Sequence, residues 1–64
     1  MKKFKVTFQL IDDGELVTSS CIVSVKESDL EENETFENHV ALKVKDGIET
    51  DGFRGVSIIN VKSL

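Results

Sequence analysis

Proline, tryptophan and tyrosine are missing from the sequence, and cysteine and histidine occur once each. A lone Cys21 excludes an internal disulfide, and Cys21 with His39 cannot supply the paired Cys and His ligands that a zinc site uses. Catalysis by a thiol and an imidazole is equally starved, because the two groups must meet within hydrogen-bond reach and only one of each exists. Long apolar runs are absent too. The first ten residues, MKKFKVTFQL, have neither the apolar stretch of a signal peptide nor the length of a membrane span, so a cytoplasmic, reducing setting is expected. In such a setting the glycosylation sequon at Asn33, Glu34 and Thr35 would be idle. Glycine is sparse: Gly52 and Gly55 stand in DGFRGV without the lysine or the spacing of a phosphate-cradling loop. Aligning Gly52 with the invariant glycine of an EF-hand loop puts Gly47 at the first ligand position and Ile58 at the last, where a bidentate acid is required. No metal, no cofactor and no catalytic residue is expected, and the chain is read as a non-enzyme.

What remains is a set of strand and core formers, mostly Val, Ile, Leu and Phe, in 64 residues that make one domain, 1–64. A chain this short leaves much of its surface in water, so its stability is marginal and a homodimer is one way to bury more. The net charge of −4 is unevenly distributed. Lys2, Lys3 and Lys5 open the chain, Arg54 and Lys62 lie near its end, and all twelve acids fall between Asp12 and Asp51. From Glu27 to Glu37 there are six acids and no base. Such a field favours a cationic protein partner and disfavours direct binding of nucleic acid, although the lysine end can still touch a phosphate.

Residues 3–11, KFKVTFQLI, alternate in the manner of a half-buried strand, with Phe4, Val6, Phe8 and Leu10 on one face. Asp13 and Gly14 then form the pair that a two-residue type I′ turn prefers. With these two at the turn, Leu10 faces Val17, Phe8 faces Ser19, Val6 faces Cys21 and Phe4 faces Val23, so the inward apolar residues of both strands coincide; a one-residue slip would separate them. This register turns Ile11, Leu16 and Ile22 outward, where an uncovered apolar group would suit a homodimer.

Ser28 followed by Glu31 fits a capping box, and a second helix start is available at Asn33, leading into Phe36, Val40 and Val44 at fourfold spacing. Lys43 and Lys45 suit a last turn and Gly47 the position after it. Val40, Leu42 and Val44 also alternate with Ala41, Lys43 and Lys45, as a strand would; the capping residues and terminal charges favour a helix over 34–46. DGFRG, 51–55, reads as a loop, and VSIINVK, 56–62, as a strand apolar on both sides at its middle and so placed inside the sheet. The expected architecture is α+β: an antiparallel hairpin, one helix and a third strand (ββαβ), the helix packed on one sheet face.

Two features suit a protein partner. One is the acidic segment, with Asp29, Glu31, Glu32, Glu34 and Glu37, whose simpler role is the wet start of a helix. The other is Phe53, held on a loop, either exposed as an apolar anchor or folded back on the core. Cys21, opposite Val6, reads as a buried and inert thiol, and His39 as a boundary residue beside the helical stripe.

The stretch ETFENHVALKVKDGI resembles the helix of ubiquitin-like β-grasp proteins, which follows a hairpin in that fold. The sequence stops soon after its third strand, before that family's last strand and diglycine tail, so conjugation is not implied. The start, KVTFQLIDDGE, together with the element order and acidic balance, is similar to the small uracil-DNA glycosylase inhibitors of Bacillus phages. That resemblance implies a DNA mimic that dimerises and occupies an enzyme's DNA groove, with a phenylalanine in an apolar pocket; neither Phe36 nor Phe53 is singled out for that role. The expectation is a phage or mobile-element inhibitor of a nucleic-acid-acting host enzyme, docking through its acids, with a structural protein acting as a homodimer as the alternative.

Overall fold

Asp13 and Gly14 turn the chain back on itself. Their φ values of 52° and 80° are the pair of left-handed conformations that a type I′ turn demands and that Asp and Gly tolerate. In the computed structural model, which describes residues 1–64, strands β1 (Lys2–Asp12) and β2 (Glu15–Val25) leave this turn as an antiparallel pair. Phe4 faces Val23, Val6 faces Cys21, Phe8 faces Ser19 and Leu10 faces Val17, the register that turn chemistry and apolar pattern specify together.

Strand β3 (Arg54–Ser63) pairs antiparallel with the other side of β1, giving the order β2-β1-β3. The expectation that 56–62 lies inside the sheet is therefore corrected: β3 is an edge, and β1 is the central strand. Its apolar residues on two sides come from a bulge. Phe8 pairs with Ile58 and Thr7 with Asn60, leaving Ile59 as an extra, exposed residue. The insertion shifts the phase of the strand, so that Val56, Ile58 and Val61 all pack against the core. A second irregularity sets Gly55 and Val56 against Leu10 alone, with Gly55 at φ 64°. The strand begins at Arg54, so the expected 51–55 loop shrinks to the three residues before it.

Helix α1 covers Phe36–Thr50, between β2 and β3, and packs on one face of the sheet in an α+β, ββαβ arrangement. Its N-cap is Thr35, whose Oγ1 accepts the Asn38 N–H at 3.2 Å. Neither expected start is used. Ser28 lies in a single 3₁₀ turn, Glu27–Asp29, and Asn33, at φ 65°, bends the chain before the helix begins. Nor does Gly47 end it. A mid-helix glycine costs about 1 kcal/mol, but Ile48 continues the inward row of Val40 and Val44 and packs against the core; full burial of an isoleucine is worth about 1.5–3 kcal/mol, so even part of it offsets the glycine. The strand alternative for 39–45 is excluded, since Val40 and Val44 are buried while Leu42 is 55 % exposed on the opposite side of a helix.

The core consists of Phe4, Val6, Phe8, Leu10, Val25, Val40 and Val44. Phe36 closes its end, stacked on Phe4 with centroids 5.8 Å apart, and the Lys2 Nζ lies 4.8 Å above the Phe36 ring. Cys21 is half-buried against this core rather than fully enclosed.

Candidate docking surface

The acidic segment leads out of β2 and into α1 on the helix side of the sheet, and the backbone organises it tightly. The Asp29 carboxylate accepts the Lys26 N–H at 3.2 Å, closing the 3₁₀ turn. Two residues later the Glu34 N–H donates to the Glu31 carbonyl at 3.0 Å, while the Glu31 N–H donates back to Glu34 Oε1 at 3.1 Å. Asn33 occupies the third position of this turn, where a positive φ favours Gly or Asn. Glu34 Oε1 also accepts from His39 Nδ1 at 2.8 Å. The Glu31 N–H and the histidine together hold the Glu34 carboxyl below its usual range, against an opposing desolvation.

The six residues expected to meet a partner therefore fall into three groups. Glu31, Glu32 and Glu37 are exposed, and Glu37 sits in the first turn of α1, where the helix dipole favours a negative charge. Asp29 and Glu34 have internal work, the first in a turn and the second as a half-buried brace for the helix start. Phe53 is 38 % exposed and stands beyond the other end of α1, in the turn that leads to β3. A 15-residue helix is about 22 Å long, so Phe53 and the acidic segment do not share one small site.

In the sequence Leu42 stands out only through its strand-like alternation with Val40 and Val44. It is 55 % exposed on the outer side of α1, with Asp46 four and Glu49 seven residues further on. Its position two residues from both Val40 and Val44, which puts it on the far side of the helix, was the available signal.

No lysine or arginine lies within 4.0 Å of any carboxylate; the one ion pair of the structure joins His39 to Glu34. The helix side mixes its acids with Lys2, Lys43 and Lys45, whereas the charges on the other side of the sheet are cations alone. The sheet face away from α1 presents the odd-numbered residues of β1 and their cross-strand partners, among them Ile11, Leu16 and Ile22, which are 47 %, 66 % and 65 % exposed. That face carries Lys3, Lys5, Arg54 and Lys62 and no acid.

His39 and Glu34 do not line a cavity, and the structure has none large enough to enclose a ligand. No three His, Cys, Asp or Glu side chains gather where they would hold a metal ion. No helix is long and apolar enough to cross a membrane. No protein-family model matches the chain, and neither does any curated protein or solved structure.

Proposed function

We propose that the chain is a non-enzymatic, cytoplasmic binding module whose acidic side docks on a basic surface of a protein that handles nucleic acid. The observation that carries this reading is the unpaired state of the acids: Glu31, Glu32 and Glu37 are exposed on one side of the molecule, and none has a lysine or arginine partner of its own. A carboxylate already paired internally has little to offer a second cation; these three retain their full field. Leu42, exposed on the outer side of the adjoining helix, supplies apolar contact, and Phe53 a second anchor for a partner that spans the length of α1.

The resemblance of the hairpin to uracil-DNA glycosylase inhibitors makes such a glycosylase the first partner to try, the acids taking the place of DNA phosphates. Electrostatic attraction would speed encounter and weaken as salt rises. The test is inhibition of a bacterial uracil-DNA glycosylase, and capture of basic DNA-acting enzymes on the immobilised chain, by the wild type and by a Glu31→Lys, Glu32→Lys, Glu37→Lys variant. Glu34 is left untouched because it braces the helix. The reading predicts salt-sensitive binding that the triple variant loses by tenfold or more, with its circular dichroism unchanged. Equal binding by a folded triple variant would refute it.

A further inference from the structure

The bare face of the sheet differs in character from the rest of this acidic molecule. Half of the eight Lys and Arg residues lie on it and none of the twelve acids. Lys5 on β1 is directly opposite Lys62 on β3, an arrangement of like charges that destabilises a sheet when nothing neutralises it. Nothing within the chain does so, because no carboxylate comes within 4.0 Å of either. Between this pair and Arg54, at the other end of the face, lie two rows of uncharged hydrogen-bonding side chains: Asn60, Thr7 and Ser20, then Ser57, Gln9 and Thr18. The end rows also carry Ile22 beside Lys5 and Ile11 and Leu16 beside Arg54, an apolar margin towards β2; cations at both ends and amides and hydroxyls between them match a ligand with phosphates at its rims and donors and acceptors in its middle.

We propose that this face binds duplex DNA, the sheet laid in the major groove with Lys3, Lys5, Lys62 and Arg54 on phosphates and the Asn60 and Gln9 amides toward base edges. The Lys5–Lys62 pair and Arg54 lie six β1 residues apart, about 20 Å, a span that crosses a major groove about 12 Å wide and reaches the phosphates on both sides of it. Single strands are recognised by stacking on aromatic rings, and this face has none: Phe4, Phe8 and Phe36 pack on the helix side and Phe53 precedes β3. An A-form RNA duplex is equally unsuited, since its major groove is deep and too narrow to be read by side chains. The net charge of −4 argues against DNA only if the molecule acts as one uniform field. Its smallest dimension is 16 Å, about twice the screening length of roughly 8 Å at physiological ionic strength, so the acids behind the helix are largely screened from a ligand on the sheet. The hairpin acids Asp12, Asp13 and Glu15 border the face at the Arg54 end, and Glu27 follows β2 by two residues at the lysine end. This inference concerns the opposite side from the acidic docking surface and does not depend on it.

Fluorescence anisotropy with a short labelled DNA duplex of mixed sequence, at several salt concentrations, tests the proposal on the full chain. Binding is expected, with log K falling against log salt at a slope of about −3.6 for four phosphate contacts. The Lys5→Gln, Lys62→Gln variant should bind more weakly with a slope near −1.8, its fold retained because both side chains are exposed and a like-charge repulsion has been removed. The Glu31→Lys, Glu32→Lys, Glu37→Lys variant should retain duplex binding. Absence of binding at low salt, an unchanged slope in the lysine variant, or equal affinity for the single strand or an RNA duplex overturns the proposal. So does salt-sensitive self-association in sedimentation that the lysine variant abolishes without any DNA binding, which would assign the face to the acidic side of a second copy.

Discussion

Glu34 accepts hydrogen bonds from the Glu31 N–H and the His39 imidazole at once, and so ties the turn before α1 to the first turn of the helix. Its carboxyl titrates below the usual 4.5 in the folded chain, chiefly because of the Glu31 N–H. The unfolded chain therefore takes up this proton first as the pH falls. The stabilisation from Glu34 is complete above the ordinary glutamate range and disappears as the pH drops through the lowered folded value. Urea midpoints measured from about pH 6 to about pH 3 should accordingly fall more steeply in the wild type than in Glu34→Gln. The variant should be the less stable of the two near neutrality. Parallel curves would show that the carboxylate does not hold the helix start. From the sequence, Glu34 is indistinguishable from Glu31 or Glu32; only the left-handed Asn33 turns its side chain back onto the chain and inward toward His39.

Among the elements, β3 depends on two irregularities. Gly55 sits at φ 64°, and a Cβ there would stand 3.0 Å from the Ile11 Cδ1 and Cγ1 atoms. Gly55→Ala should cost about 1–2 kcal/mol for the left-handed backbone alone, more if Ile11 cannot move aside, read as a lowered urea midpoint with β1 and β2 still paired. An unaffected midpoint would mean that β3 pairs without its bulge. The hairpin was legible in full because Asp13, Gly14 and the alternation from Phe4 to Leu10 specify the same register independently. The third strand is legible in the sequence but its edge position is not, since a bulge at Ile59 imitates the two-sided apolar pattern of an interior strand. The helix was legible in kind through Phe36, Val40 and Val44, and shifted at both ends. Thr35 was masked by the stronger capping signals of Ser28 and Asn33, and Gly47 by the rule that glycine ends helices. Of the candidate docking residues, the acidic segment is visible in the sequence, but not its division into exposed and internally bonded carboxylates, which backbone hydrogen bonds decide.

Taken whole, the molecule is a thin plate, 38 × 21 × 16 Å, with most of its acids, and Lys43 and Lys45 among them, on the helix side, three lysines and an arginine but no acid on its bare sheet, and no Lys–carboxylate or Arg–carboxylate pair joining them. Both proposed interactions depend on that sorting of unpaired charge. Salt reports on it directly, because screening weakens attraction between paired charges and repulsion between clustered like charges alike. If the charges are sorted rather than paired, sodium chloride added up to about 0.2 M should relieve repulsion within the acidic segment and between Lys5 and Lys62, and the urea midpoint of the wild-type chain should rise. A midpoint that falls over the same range would reveal attractive ion pairs holding the fold together, and the two-faced charge distribution would be wrong.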